Sequence, residues 1–102
     1  NACRLSFLVE NELGTDLTSL VLETVVFTKA GAVERLTLFD FQALPAGRPR
    51  VRQFDLDGAS CAGLGSLLIN GVDACEGEGL EPNACQAAVV PESRVTGIEV
   101  QG

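Results

Sequence analysis

The chain has 102 residues and a formal net charge of −7, with 14 acidic and seven basic side chains and no histidine. A chain of this length forms one domain, since typical domains span roughly 50–200 residues, and we assign residues 1–102 to it. The acidic field repels phosphate backbones and anionic lipids, which argues against a nucleic-acid partner. No apolar run reaches the roughly 18 residues of a membrane span. Because His, Trp, Tyr and Met are all absent, we expect no cofactor and no catalytic histidine.

The first half of the chain alternates apolar stretches with turn signals at short intervals, which is typical of consecutive antiparallel strands. The first predicted strand covers Arg4 to Asn11, where every second residue from position 5 to 9 is apolar. The second covers Leu17 to Thr28, a run of β-branched and aromatic residues that disfavours a helix. Its apolar residues lie on both faces, as expected of a central strand whose two faces are both covered.

Two further strands follow on either side of a turn with two prolines. A hairpin at 29–32 leads to a predicted third strand from Val33 to Phe41, and Pro45 and Pro49 lie in the next connection. The fourth predicted strand runs from Arg50 to Leu56. The apolar positions change parity within it, which predicts a β-bulge near Gln53.

The composition shifts to Gly, Ala, Ser and Cys after position 57. We assign a fifth strand to Leu64 to Ile69, with a short helix as the alternative, then an acidic loop at 72–86 and a final strand at 95–100. The final strand is expected to pair antiparallel with the fifth. The elements together predict an all-β, antiparallel β-sandwich of six or seven strands with Greek-key-like connections and little or no helix. Its predicted core comprises Leu5, Phe7, Val9, Leu20, Leu22, Val26, Leu36, Leu38, Phe54, Leu56, Ile98 and Val100.

Four cysteines, an even number in a short chain, indicate disulfides and an oxidising compartment. A zinc site would need closely spaced ligands, which the sequence lacks. If the strands alternate in direction, Cys3 and Cys61 meet at one end of the sandwich, while Cys75 and Cys85 meet at the other. Because bridged Cα atoms must lie within about 7 Å, we predict the bridges Cys3–Cys61 and Cys75–Cys85.

The start of the chain has two further interpretations. Asn1-Ala2 matches the end of a Ser-Asn-Ala remnant of tag cleavage. We therefore exclude Asn1 from functional reasoning and leave open whether Ala2 belongs to the same remnant. If Cys3 instead followed a removed leader directly, it could carry a lipid; the even number of cysteines favours a disulfide. We expect an extracytoplasmic location, either periplasmic or secreted.

Three arginines at spacing two form the first candidate site. In an extended chain Arg48, Arg50 and Arg52 would point to one side and could bind an anion bidentately. Arginine and proline on an edge strand also discourage pairing with another chain. We favour edge protection, because the acidic remainder of the molecule can neutralise the arginines.

Carboxylates supply the other candidates. A weak calcium site could use Asp73, Glu76, Glu78 and Glu81, but their order matches no EF-hand spacing, so a solvated acidic loop is favoured and no metal is predicted. Asp55 and Asp57 are the best acid–base pair, although such a pair needs a cleft and a raised pKa. The serines lack a histidine and the G-x-S-x-G motif. We therefore do not expect an enzyme.

Several segments resemble a known family. These are 9–17, with Asn11 before a Gly-Thr-Asp turn, then 25–33 around the Gly31 hairpin, and Leu44-Pro45-Ala46-Gly47. They are similar to immunoglobulin-like β-sandwich domains of the FxLYD type, which occur in secreted or envelope-anchored bacterial proteins. The resemblance covers residues 4–57 and implies a noncatalytic extracytoplasmic module, with no functional residues to transfer. The excess of Arg over Lys also fits a GC-rich bacterium.

These observations favour a secreted or periplasmic, noncatalytic accessory or interaction domain. The apolar residues on both faces of the second and third strands indicate that a sheet face or edge meets a protein partner or another copy of the chain. One alternative is a small-ligand or ion-binding module that uses the acidic loop at 75–85 or the arginine row. The third is a hydrolase that relies on carboxylates alone.

Overall fold

The computed structural model describes residues 2–80, 89–93 and 99–101, and these residues form an all-β protein with two sheets. A three-stranded sheet has the order β4-β1-β6, and a four-stranded sheet has the order β3-β2-β5-β7. A single turn of 3₁₀ helix, Cys61–Gly63, precedes β5. The strands are β1 (Ala2–Asn11), β2 (Leu17–Thr28), β3 (Val33–Asp40), β4 (Arg50–Asp57), β5 (Leu64–Gly77), β6 (Val89–Ser93) and β7 (Glu99–Gln101).

The two sheets pack face to face in a sandwich-like arrangement. Period-2 alternation in β1 and β2 gives each strand one buried row, and the two rows meet in one hydrophobic core. Of the predicted core, Phe54 and Val100 are partly buried and pack against this cluster. Ile98 lies outside the described residues. The predicted core residues that are fully buried are Leu5, Phe7, Val9, Leu20, Leu22, Val26 and Leu56.

Four phenylalanines fill the centre of the core. Phe7 on β1 lies 5.7–5.9 Å, between ring centroids, from Phe39, Phe41 and Phe54. Phe39 on β3 stacks on Phe54 of β4, with centroids 4.4 Å apart. Since aromatic pairs at these distances add to ordinary burial, the cluster joins both sheets and fixes which face of β3 and β4 points inward.

The predicted burial of Leu36 and Leu38 is wrong. Phe39 lies opposite Leu22, and both are buried, so Leu36, Leu38 and Asp40, the even-numbered positions after the register shift in β3, face solvent. Leu36 is 60% exposed and Leu38 53% exposed. The phenylalanine row and the leucine row of this strand compete for one core, and the bulkier phenylalanines occupy it.

The predicted bulge in β4 is also wrong. The β1–β4 register is continuous from Ala2 opposite Asp57 to Val9 opposite Arg50. The apparent change of parity arises because Val51 faces solvent, 57% exposed, while Arg52 lies on the same face as buried Phe7. A long aliphatic stem allows arginine to take an inward position at the rim of the core.

The second half of the chain departs most from expectation. β5 continues to Gly77, so positions 72–77 are strand and not loop, because β5 pairs along nearly the whole length of β2. Register shifts along that ladder accommodate the longer strand. β7 pairs parallel with β5, contrary to the predicted antiparallel pairing. β6, which was not predicted, pairs with β1 at the sheet edge, a position where Pro91 is tolerated.

The predicted Cys3–Cys61 disulfide is confirmed, with Cα atoms 4.9 Å apart. Cys3 lies opposite Leu56 near the end of β4, and Cys61 follows in the 3₁₀ turn that leads to the other sheet. The bridge therefore ties the start of β1 to the crossing between the sheets. Cys75 on β5 is also disulfide-bonded. Its predicted partner, Cys85, lies outside the described residues.

Asn11 organises the opposite end of β1. It is fully buried, and its amide nitrogen donates to the carbonyl oxygens of Thr15, at 2.9 Å, and Leu44, at 3.0 Å. Its side-chain oxygen accepts from the Leu13 backbone N–H at 2.9 Å, and its own carbonyl accepts from Gly47 N–H at 2.9 Å. One buried amide thus holds together the turn after β1 and the connection between β3 and β4.

Candidate functional site

The outer face of the larger sheet is the most apolar exposed surface among the residues described. Val21, Val25 and Phe27 of β2 point away from the core and are half-buried. Their neighbours on β3 are Val33, Leu36 and Leu38, each more than half exposed. Leu68 of β5 lies opposite Val25 and extends the surface by one strand. We call these seven residues the outer apolar face.

The charged residues around this face include two acidic residues and one basic residue. Glu23 lies within it, opposite Leu38, and accepts a hydrogen bond from the Asn70 amide at 2.6 Å. Asp40 lies at one end of β3, opposite Val21, and is exposed. Lys29, the one lysine of the chain, lies in the exposed hairpin at the other end. The face is therefore an apolar strip with a basic residue at one end and an acidic residue at the other.

β3 is also an edge strand. The Phe41 N–H donates to the Leu20 carbonyl at 2.7 Å, which makes Phe41 and Leu20 a hydrogen-bonded pair. In an antiparallel ladder such pairs alternate, so Thr37 and Phe39 also direct their N–H and C=O groups toward β2. The N–H and C=O groups of Leu36 and Leu38 consequently point away from the sheet. The same two residues thus expose both their side chains and their backbone hydrogen-bonding groups.

Two inward-facing arginines cover the side of the sandwich between the edge strands β3 and β4. Arg35 pairs with the neighbouring Glu34 carboxylate and donates to the Asp57 carbonyl at 2.8 Å. Arg52 donates from Nε to the Phe41 carbonyl and from Nη2 to the Ala43 carbonyl, both at 2.8 Å. An inward charge at an edge discourages strand pairing, a role that Arg52 fits on β4. Arg35 is paired with Glu34, and both arginines link β3 and its following connection to β4.

The arginine row is only partly brought together. Arg50 and Arg52 alternate with Val51 in β4 and lie on its inner side, whereas Arg48 precedes the strand and is exposed. Arg50 donates to the Pro49 carbonyl at 3.0 Å. Arg52 is held by the carbonyls described above, so its guanidinium is already engaged within the protein. The contacts of Arg52 favour the structural role for that residue.

The acidic candidates are dispersed along an extended chain. Asp73 and Glu76 are exposed positions of β5, and Glu78 is exposed in the turn that follows. Glu81 lies outside the described residues. Within residues 2–80, 89–93 and 99–101, His, Cys, Asp and Glu form no group of three or more that could hold a metal ion.

Asp55 and Asp57 lie on the outer, exposed side of β4. Arg4 donates to the Asp55 carboxylate from Nε at 2.8 Å and from Nη2 at 3.2 Å. This hydrogen bond holds the pKa of Asp55 below its ordinary value. A general acid needs a raised pKa, so the environment of Asp55 shifts this group in the opposite direction.

The pKa of Glu34 is lowered in the same way, mainly by its hydrogen bond with Arg35. Both shifted carboxylates, Asp55 and Glu34, are thus bound to arginines, which favours their charged form.

In the part of the chain that the structure describes, no helix has the length and hydropathy needed to cross a membrane.

No known protein family, curated protein or solved structure matches this chain.

Sequence reasoning found this surface only in part. The apolar residues on both faces of β2 and β3 pointed to an interacting sheet face, but Leu36 and Leu38 were assigned to the core. The signal that identifies them is the competing row of Phe39 and Phe41 in the same segment. Because a strand has only two faces, placing the phenylalanines inside puts both leucines outside.

Proposed function

We propose that this protein is a noncatalytic interaction domain that binds a protein partner through the outer apolar face. The observation that carries this proposal is the exposure of Val33, Leu36 and Leu38 side by side on an edge strand. Contiguous exposed apolar surface in a folded domain is typical of an interaction site. The half-buried residues Val25, Phe27 and Leu68 extend the surface across three strands and give a partner a flat, continuous contact.

We propose an extracytoplasmic location for this activity. The Cys3–Cys61 bridge and the oxidised state of Cys75 support it, because disulfides persist in secreted and periplasmic proteins and are rare in reducing compartments. Cys3 is engaged in the disulfide, which favours that role over lipidation of the same thiol.

The immunoglobulin-like, FxLYD-type assignment remains part of the proposal. Support comes from the two-sheet arrangement and from the turns that carry the resemblance. Asn11 binds the backbone of both the 13–15 turn and the 44–47 connection. Gly31 and Gly47, with φ of 86° and 69°, take the left-handed conformation that glycine adopts most easily. The parallel β5–β7 pair lies outside the segment that carries the resemblance.

The proposed partner site can be tested by photo-crosslinking in the source organism. A benzophenone amino acid at Leu38 should give a discrete crosslinked product. The same group at Val51 should give none, although Val51 is 57% exposed against 53% for Leu38. Val51 lies on the edge strand of the other sheet, so it controls for exposure and strand position. Absence of a product at Leu38, or equal products at both positions, would contradict the proposal.

A further inference from the structure

We infer that the partner of the outer apolar face is a second copy of this chain, joined antiparallel along β3 so that the two larger sheets become one. This inference rests on the proposed function and specifies its partner. Its first basis is the backbone: Leu36 and Leu38 direct their N–H and C=O groups outward, as a strand must to accept a neighbour.

The second basis is that β3 is self-complementary about a two-fold axis. Residues whose N–H and C=O groups point outward must pair with residues of the same kind, which on β3 are Leu36, Leu38 and Asp40, beyond the register shift near Glu34. Placing Leu36 opposite Leu36 of the second copy satisfies this condition and puts Leu38 opposite Glu34. The exposed leucines of the two copies then form one continuous group of four on the outer face, since diagonal neighbours across a ladder are also within contact range.

The third basis is charge. The segment that would pair, residues 34–38, carries one acidic and one basic residue, Glu34 and Arg35, and these are already paired with each other. The segment therefore brings no net charge to the second copy, and no two like charges lie directly opposite in this register. Like charges directly opposite each other would destabilise the pairing.

The other edge strand on the same side of the sandwich is less suited to pairing. β4 follows Pro49, carries Arg50 and Arg52, and presents Val51, Gln53 and Asp55 on its outer side. Proline and charged side chains blunt an edge. By contrast, β3 has no proline, its two central charges, Glu34 and Arg35, are paired with each other, and its outward row centres on two leucines. The asymmetry between the two edges assigns the contact to β3.

The expected association is weak. A single strand edge with its side chains covers less than the roughly 800 Å² per partner of a standard interface. We therefore expect a weak dimer whose population rises with protein concentration.

Sedimentation equilibrium over a wide concentration range tests the inference. The natural chain should change from monomer to dimer, and Leu36→Arg, which places like charges at the two-fold axis, should raise Kd at least about tenfold. Val51→Arg adds the same charge to the other edge strand and should leave Kd unchanged. A natural chain that stays monomeric, or a Leu36→Arg variant that dimerises normally, would overturn the inference.

Amide hydrogen exchange on the natural chain supplies a test that needs no variant. Exchange at the Leu36 and Leu38 N–H groups should slow as the concentration rises through Kd, whereas Thr37, whose N–H is directed toward β2, should change far less. Equal responses at the three amides would contradict the register. The two proposals can fail separately. If the Leu36 amide exchanges at the same rate at all concentrations but the benzophenone at Leu38 crosslinks a different protein, the dimer is refuted and the proposed function stands. If neither amide protection nor a crosslinked product is seen, both proposals are refuted.

Discussion

Phe39 lies directly opposite Leu22 across the β2–β3 ladder, and each side chain is 3% exposed. This pair fixes the orientation of β3, because neighbouring positions in a strand face opposite sides. Its consequence is the outward position of Leu36 and Leu38. The β2–β3 register thus determines both which side chains of β3 enter the core and which form the candidate interaction surface.

Substitutions on the two faces of β3 should have very different effects on stability. Phe39→Ala removes a ring that stacks on Phe54 and should lower the free energy of unfolding by about 3–5 kcal/mol. Leu38→Ser, at an exposed position, should change it by no more than about 0.5 kcal/mol. Urea unfolding of dilute protein measures both. Comparable losses for the two variants would show that the register of β3 differs from the one described.

Asn11→Ala should lower the free energy of unfolding by more than is usual for the loss of a side chain of this size. It removes the amide partner of the Leu13 N–H and of the Thr15 carbonyl, and unpaired buried polar groups cost about 1–3 kcal/mol each. The Leu44 carbonyl loses one bond and still accepts from the Leu17 N–H. We expect a total loss of about 2–4 kcal/mol, because some of these groups regain water. Thr15→Ala is the control, since Thr15 accepts through its backbone carbonyl; a similar loss there would argue against the role given to Asn11.

Arg52 should contribute more to stability than Arg50. Arg52→Ala removes charge-assisted bonds to the carbonyls of Phe41 and Ala43 and should cost about 1–3 kcal/mol. Arg50→Ala removes a contact with the adjacent Pro49 carbonyl and should cost less than about 0.5 kcal/mol. Thermal and urea unfolding compare the two. If the two variants are equally stable, the Arg52 contacts contribute nothing measurable.

The Cys3–Cys61 bridge should contribute strongly to stability. Its cysteines are 58 residues apart, a loop for which the chain-entropy relation gives about 4 kcal/mol. The double variant Cys3→Ala/Cys61→Ala should lose about that amount in urea unfolding and should retain the other cysteine pair. A loss below about 1 kcal/mol would mean that the unfolded chain is already compact at this end.

The Arg4–Asp55 ion pair gives the protein a defined pH response. Because the pKa of Asp55 is lowered in the folded state, its contribution to stability is present above the unfolded pKa and is lost as the pH falls through the folded value. In an NMR titration Asp55 should have a midpoint below about 3.9, the ordinary value for aspartate, and Arg4→Gln should raise it. An unchanged midpoint in the variant would remove Arg4 as the cause.

The sequence was sufficient for the parts of the fold that local patterns determine. The bounds of β2 follow from its many β-branched and apolar residues between two turn signals, and the Cys3–Cys61 bridge follows from the alternating direction of the strands. The length of β5 could not be predicted in this way. Gly71 and Asp73 are turn signals locally, but Gly71 pairs with Glu23 of β2, and Asp73 lies at a register shift between the paired residues Val72 and Ala74.

The candidate site, like the fold, could be predicted only in part from local sequence patterns. Apolar residues on both faces of β2 and β3 indicated an interacting surface. Which row faced outward depended on the packing of four phenylalanines from β1, β3, β4 and the segment after β3, a contact between distant parts of the chain. For Arg52 the spacing pattern was visible in the sequence. Its engagement with the Phe41 and Ala43 carbonyls depended on how the β3–β4 connection folds back.

The exposure of Leu36 and Leu38 in a single copy is the central claim, and methyl NMR with a soluble paramagnetic agent tests it most directly. On dilute protein, the methyl signals of Leu36 and Leu38 should broaden strongly, while those of the buried Leu20 and Leu22 should be nearly unaffected. Protection of Leu36 and Leu38 equal to that of Leu20 would contradict the account, because it would place both leucines in the core.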